Sequence, residues 1–395
     1  MATRIVLYTG KGGVGKTSVA AATARRIAAG GDRVLVLSTD PAHSLGDVLG
    51  VPVGPEPTGL GPGLDALQVD ARAELTRHWG AVRAWASRTL VARGVDRISA
   101  EELSVPPGLE ELLSLLRLVA LRDSGEYDVL VVDCAPTAET LRLLAFPDVA
   151  RWWLGRIAPR QDELLGAVRP LARALLDVSL PDTGVLEEVG RTMESLLAMH
   201  ELFVDRESVT MRLVTTADRV VVEETRRTFT ALGLHGVATD AVVVNRLFPA
   251  DVGPYFAAWR RRQQDALAGI EEAFAPVPIL QAPYFDREVV GPEALDRLGE
   301  ALFQDVRAQD VLHTGLAREL EMTEDEARLR IAVPLTARED VALRRAGDEL
   351  VVEVAGRRRT VLLPPAIAHY RPTGAVLRDG VLDVTLRPPE HPDAP

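Results

Sequence analysis

The chain opens on a short apolar run, Arg4 to Thr9 (R-I-V-L-Y-T), stopped by glycine, and an alanine-rich stretch from Ser18 to Ala29 follows. The run predicts a strand and the stretch a helix. Further short apolar runs stand at Val34 to Leu37, Val129 to Val132, Arg212 to Val214, Ala241 to Val244 and Val277 to Leu280. Strands buried on both faces read as continuous apolar runs, so their alternation with helical stretches predicts an α/β fold with a mostly parallel, doubly covered sheet. Between the second and third of these strands, and again from about Pro147 to Glu207, the pattern is helical with no strand candidates. That predicts an inserted helical subdomain over about 70–125 and 147–207. Within it Leu112, Leu113, Leu115, Leu116 and Val119 recur at helical spacing, as do Met193, Leu196, Leu197, Met199, Leu202 and Phe203. These stripes are either the core of a helical bundle or a groove for an apolar client.

A charged stretch at 306–326 predicts a helical linker, after which the period switches to two. Leu329, Ile331 and Val333 share one face and Leu350, Val352 and Val354 another, with turn signals at Gly347-Asp348 and Asp379-Gly380. Residues 327–388 are therefore expected to form a small antiparallel β-sandwich, and the proline-rich end, 389–395, to fray.

Composition narrows the classes. With 395 residues, 47% hydrophobic and 26% charged, the chain can fill a large core and a second, smaller domain. No apolar stretch approaches the roughly 18 residues that span a bilayer, and the N-terminus leaves no room for a signal-peptide core. A cytoplasmic location is the expectation. A net charge of -12 disfavours nucleic acid as a partner. The one cysteine, Cys134, excludes an intrachain disulfide and cysteine-based zinc or redox pairs. Lysine and arginine together number 45, yet the only lysines are Lys11 and Lys16, both inside one glycine-rich loop. Arginine serves surface charge as well as lysine does, so a chain that avoids lysine should keep it where a compact ammonium is required.

That loop, Gly10-Lys11-Gly12-Gly13-Val14-Gly15-Lys16-Thr17, followed by Ser18, matches the phosphate-binding pattern G-x-x-x-x-G-K-[ST] between a strand and a helix. Glycines let backbone N–H groups close around phosphates, and the helix N-terminus adds its partial positive charge. Lys16 is expected on the β- and γ-phosphates of ATP and the Thr17 hydroxyl on Mg²⁺. Asp133, ending Val129 to Val132, stands where an acid holds Mg²⁺ through water, and Asp40, ending the second strand, is a further candidate. The proline and glycine of Ser38 to Asp47 suit a mobile loop rather than a helix. His43 within it reads as structural.

The loop G-K-G-G-V-G-K-T, the segment Asp40 to Asp47 (D-P-A-H-S-L-G-D) and Asp133 to Arg142 (D-C-A-P-T-A-E-T-L-R) resemble the family of arsenite-pump (ArsA) and tail-anchored-protein targeting ATPases. The likeness covers roughly residues 1–305 and takes in Pro107 to Glu111, Asn245 to Pro249 and Glu288 to Gly291. It implies a homodimer that closes on ATP, with Lys11 reaching the other subunit's nucleotide and Asp47 orienting the attacking water. Asp133 would open a second switch that transmits nucleotide state to the helical subdomain. Asn245 would hydrogen-bond the adenine, with Pro283, Tyr284 and Phe285 walling it. Three departures qualify the likeness. Cys134, Ala138 and Glu139 replace the usual Thr, Gly and His of the second switch. The C-x-x-C zinc clasp of the eukaryotic targeting factors is missing, so no zinc is expected, and one cysteine cannot make the three-thiolate site of an arsenite pump. Gly347 to Val352 and Ala375 to Leu382, ending Gly380-Val381-Leu382, are similar to the small-heat-shock (α-crystallin) fold, without the I-x-I tail that links such domains into shells.

The implied reading is an ATPase that couples nucleotide state to an apolar client protein or segment, with a membrane receptor as a further candidate partner. The alternatives are a metalloid-pump ATPase, a MinD- or ParA-like positioning protein, and a non-hydrolysing holdase. Every catalytic motif lies before Gly291, so a chain ending near Asp305 is expected to keep hydrolysis.

Overall fold

The computed structural model describes residues 3–40, 44–99, 109–134, 183–314, 319–323, 326–346, 349–354, 356–363, 367 and 369–388. The chain divides into two compact units, Met1–Gln68 with Gly125–Leu141 and Phe203–Pro395, and Val69–Ser124 with Arg142–Leu202. Elements run β1 (Arg4–Thr9), α1 (Lys16–Ala28), β2 (Val34–Ser38), α2 (Ser44–Leu49), β3 (Thr58–Gly61), β4 (Leu64–Gln68), α3 (Ala71–Ala92), α4 (Leu109–Ser124), β5 (Val129–Asp133), α5 (Thr183–Val204), β6 (Val209–Thr216), α6 (Arg219–Leu234), β7 (Thr239–Leu247), α7 (Ala257–Phe274), β8 (Ile279–Pro283) and α8 (Pro292–Leu302). The segment 147–182, Pro107-Gly108, His43, the second switch beyond Cys134, the Gly347-Asp348 turn and the tail 389–395 lie outside the described residues.

Eight strands form one sheet in the order β3-β4-β2-β5-β1-β6-β7-β8, parallel throughout except at β3. The apolar runs of β1, β2 and β5 are buried along their length, each large side chain contributing roughly 1.5–3 kcal/mol by leaving water. The central position of β1 puts the loop after it at the carboxyl end of the sheet, where strand order reverses and ligands bind in open α/β folds. In register, Tyr8 and Ser38 both flank Asp133.

Three local expectations are corrected. β3 and β4 occupy a stretch expected to be free of strands; Gly59, Gly61, Pro62 and Gly63 hide this hairpin, whose buried Leu64, Ala66 and Leu67 extend the sheet. Residues 44–49 form the helix α2 rather than a loop, because Leu45 and Leu49, four apart, both bury in the core and override Gly46. The expected helical linker is not helical in its described residues. α8 ends at Leu302, and Glu319–Met322 form a strand, β9, paired antiparallel with Ala327–Ala332; Glu-Leu-Glu-Met alternates with period two, which charge density had masked.

In the helical unit, Leu112, Leu113, Leu115, Leu116, Met193, Leu196, Met199 and Leu202 are buried, so these stripes are core rather than an open groove. Thr192 Oγ1 donates to the His78 carbonyl at 2.6 Å, and Glu188 accepts the Ala81 and Val82 amides, tying α5 to α3.

The C-terminal domain holds β9, β10 (Ala327–Ala332), β11 (Val341–Ala346), β12 (Glu349–Val354), β13 (Arg357–Leu362), β14 (Arg371–Arg378) and β15 (Val381–Arg387). Two antiparallel sheets, β14-β15-β10-β9 and β11-β12-β13, share one apolar core containing the two expected faces, Leu329, Ile331, Val333 and Leu350, Val352, Val354. Leu234, the last residue of α6, is buried in the same core, and Thr230 Oγ1 donates to the Pro334 carbonyl at 2.7 Å. The segment after α8 is also built into the large sheet. Fully buried Arg212 forks onto Asp240 at 3.0 and 3.3 Å and donates to the Ala308 and Asp310 carbonyls; Arg4 adds bonds to Asp240 and Gln309. The structure built on the large sheet thus extends beyond residue 305.

Candidate active site

The loop between β1 and α1 is held by two close approaches. Gly10 runs so near β6 that a Cβ would lie 2.1 Å from the Val214 carbonyl oxygen, and Gly15, at φ 92°, would set one 2.5 Å from Asn245 Nδ2. Only glycine fits at either place. Over Gly12 and Gly13 a Cβ would meet nothing within 4 Å. The loop is therefore clamped at its ends and open in the middle, the shape of a phosphate cradle.

Lys16 opens α1 and is only 5% exposed. Burial pulls its pKa down, and Asp133 and Asp40 oppose that. Asp133 ends β5 with no exposed surface. Its Oδ2 accepts from Thr17 Oγ1 at 2.7 Å and from Ser38 Oγ at 3.3 Å, while Oδ1 has no protein partner. Burial pushes its pKa up to about 6, with Thr17, Lys16 and Ser38 pulling the other way. An unfilled carboxylate oxygen beside the first-turn threonine of a phosphate loop is the donor set that a hard divalent cation such as Mg²⁺ takes. The residues present fit that ion and a nucleotide triphosphate.

The remaining expected residues fall in two groups. Asp40 donates its N–H to Ser38 Oγ and its carbonyl accepts from Gln68 Nε2, which places it beside the buried cluster. Asp47 stands exposed in the first turn of α2, outside that cluster, while Ser44 Oγ lies 3.1 Å from Thr17 Oγ1. Lys11 is turned to Glu224 of α6 at 3.3 Å, half exposed. On the other flank of the loop, Gly15, Ser18, Asn245, Pro283, Tyr284 and Phe285 line a cavity of about 530 Å³. Asn245 Nδ2 donates to the Val14 carbonyl at 2.8 Å, and Oδ1 accepts the Arg246 N–H at 2.9 Å. That leaves one amide hydrogen for a ligand.

Two residues of the site are given no role by the sequence. Arg246, at φ 61°, donates to the Gly13 carbonyl at 2.9 Å and so braces the cradle from β7. Ser38 ends β2 next to Asp133; its strand-end position was the available clue, but its role needs the β2–β5 register. Cys134, the next residue after Asp133, is buried and burial raises its thiol pKa, so it is held as a neutral thiol.

A parallel sheet with a clamped phosphate loop, a buried lysine and a strand-end acid bonded to the loop threonine defines a P-loop ATPase. Residues 3–304 match the model of the anion-transporting ATPases and residues 324–386 that of the HSP20-like domain found in ArsA, so the chain belongs to the ArsA family of anion-transporting ATPases. It is 36% identical over 392 residues to a Prosthecochloris vibrioformis protein named as an arsenical pump-driving ATPase, covering 96% of this chain and 95% of that one. A similarly named Aquifex aeolicus protein is 32% identical over 391 residues, 96% of this chain and 99% of its own. The ATPase get3 of Aspergillus terreus is 30% identical over 310 residues, 76% of this chain and 90% of its own. No helix among the described residues is long and apolar enough to cross a membrane.

Proposed function

We propose that the chain works as a cytoplasmic homodimer whose ATP cycle binds and releases an apolar protein segment. The observation that carries the ATP half of this reading is the bond from Thr17 to Asp133, whose second oxygen has no protein partner. In this reading Thr17 and Asp133, with Asp40 beside them, hold Mg²⁺, which when bound neutralises charge on the phosphate oxygens. The N–H groups from Gly10 to Ser18 and the Lys16 ammonium hold and orient the phosphates, stabilising charge where it develops. Asp47 positions the attacking water. Asn245, Pro283, Tyr284 and Phe285 hold the adenine in the 530 Å³ cavity. Lys11 serves the partner subunit's nucleotide; its present contact is an exposed surface pair with Glu224, worth under about 1 kcal/mol and so easily exchanged.

The client half is supported by the HSP20-like domain at residues 324–386 and by relatives that include the Aspergillus ATPase. A metalloid-pump reading draws on the names of the bacterial relatives; a single buried cysteine gives it no chelating thiols. The test uses a fluorescent peptide of about 20 apolar residues, the length of a membrane-spanning helix. Asp47→Asn, which should bind ATP without turning it over, is expected to hold this peptide at least tenfold more tightly with Mg-ATP than with ADP. Equal affinity in the two states would sink the coupling.

A further inference from the structure

Between the large sheet and the C-terminal sandwich, both within the first compact unit, lies a cavity of about 570 Å³. That volume falls in the range of small-molecule sites, which concentrate at domain junctions of this kind. One wall comes from Phe229 and Gly233 of α6, from Val237 to Thr239 where β7 begins, and from Val277 after α7. The other comes from Ala332 of β10 with Pro334 and Leu335 after it, and from the β14–β15 turn at Asp379 and Gly380. None of these residues lines the cavity beside Asn245.

The walls are pinned in place. Besides the bond from Thr230 to the Pro334 carbonyl, a Cβ on Gly233 would lie 2.7 Å from Pro334 Cδ, and Leu234 is buried in the sandwich core. The Val333 N–H donates to the Gly380 carbonyl at 2.7 Å, and Phe229 packs on buried Phe274 at 5.3 Å. Contacts this close on its flanks keep the cavity from collapsing, and water left inside it faces apolar walls at a cost that a bound molecule removes. The cavity also holds an unfilled valence. Thr239 is only 5% exposed, and its hydroxyl has no hydrogen-bond partner in the protein. Nearly all buried hydroxyls are paired, because an unpaired one forfeits its bonds to water. Asp133 carries the same signature at the phosphate loop.

Charge narrows what that hydroxyl meets. Among the described residues neither lysine nor arginine lines the cavity, so no cationic side chain there holds a carboxylate or a phosphate. Exposed Asp379 at the rim repels an anion, as does the chain's net charge of -12. We infer that the cavity is a binding site for a neutral, mostly apolar small molecule whose carbonyl or hydroxyl group bonds Thr239 Oγ1. Such a molecule touches α6 and the sandwich at once. It therefore ties the C-terminal domain to the helix that carries Glu224, the partner of Lys11.

The test titrates the full chain with prodan, a neutral naphthyl ketone whose emission moves to the blue when its carbonyl loses a hydrogen bond. Saturating Mg-ADP keeps the nucleotide site occupied. One saturable site is expected, and the dye should raise the thermal midpoint. Ala273→Phe fills the cavity from the last turn of α7. Ala332→Phe fills it from the opposite wall, since Ile331 and Val333 on either side point into the sandwich core. Each should weaken the dye at least tenfold, read in whichever variant keeps its midpoint within about 2 °C of wild type. Thr239→Val keeps the shape without the hydroxyl and should leave the midpoint no lower. It should weaken the dye by about three- to tenfold and shift the bound emission to the blue. Anionic anilinonaphthalene sulfonate should show no binding that Ala332→Phe removes. Absence of a saturable site, or dye binding that neither filling variant weakens, would overturn the site. Wild-type affinity and emission in Thr239→Val would remove the hydroxyl from it, and a preference of the same site for the anionic dye would overturn the neutral class of ligand.

Discussion

The eight-stranded sheet and the C-terminal sandwich are both packed with aliphatic side chains, but they place charge in opposite ways. In the sandwich the buried residues are apolar among those described, and charges pair at the surface, as where Glu326 accepts from Arg328 and Arg387. The sheet buries Lys16, Asp133, Arg212 and Asp240. Within the sheet there is a second contrast. Asp240 is enclosed by two guanidiniums, and Arg212 spends its other N–H groups on carbonyls, so that cluster is closed. Asp133 is equally buried with one oxygen unfilled and its pKa pushed up to about 6. Burial of charge marks structure where the valences are filled and chemistry where one is left open.

The largest effect expected from breaking that contrast is at Asp133. Asp133→Asn should lower turnover on the order of a thousandfold, since it replaces the carboxylate proposed to hold Mg²⁺ against the phosphates. It should also stabilise the nucleotide-free protein. The folded pKa of about 6 lies above the ordinary 3.8, so the folded state binds this proton more tightly than the unfolded state. The favourable contribution is full below about pH 4 and is lost as pH rises through 6. The aspartate therefore destabilises the wild type at pH 8 by roughly 3 kcal/mol, which the asparagine recovers. Urea denaturation at pH 4 and pH 8 without nucleotide checks this; a gain equal at both would deny that Asp133 is the source.

The closed cluster predicts a smaller loss. A chain ending at Asp305 loses the carbonyl partners of Arg212 and Arg4, whereas one ending at Thr314 keeps them. The shorter chain should be less stable than the longer by about 2–4 kcal/mol in urea midpoint measurements. Hydrolysis should survive in the longer chain and fall in the shorter, against the sequence expectation that a cut near 305 is harmless. Equal stability would show that these carbonyls are replaced by water at little cost.

These two sites also show what could be read before the fold was known. Gly10 to Thr17, the β5 run and Asp133 are local signals, because a phosphate loop carries its glycines, lysine and threonine in one stretch. The sandwich faces were legible because period two survives in Leu329, Ile331 and Val333. Arg212, Asp240, Arg4 and Ala308 lie far apart in sequence, and nothing local marks them as partners. The same holds for Arg246, whose bond to Gly13 depends on β7 lying beside the loop. α2 is not legible in the sequence because Gly46 speaks against a helix, while the burial of Leu45 and Leu49 that decides for it is tertiary.

The smallest expected effect is none. Micromolar arsenite or antimonite should leave turnover unchanged, since the one thiol is buried and held neutral by its surroundings. A thiol-dependent stimulation of several-fold would restore the metalloid-pump reading.

The central claim, a homodimer in which each phosphate loop serves two nucleotides, is tested most directly by mixing two inactive chains. Lys11→Arg and Asp47→Asn should each abolish most hydrolysis while leaving ATP binding, because both residues serve the transition state more than the bound ground state. In a heterodimer, if Lys11 acts across the interface, one site receives an intact Lys11 from the Asp47→Asn chain and an intact Asp47 from its own. The other site carries both lesions. Purified heterodimers should therefore recover up to about half the wild-type rate. Verified heterodimers that remain as inactive as either parent would place Lys11 in its own site and contradict the account.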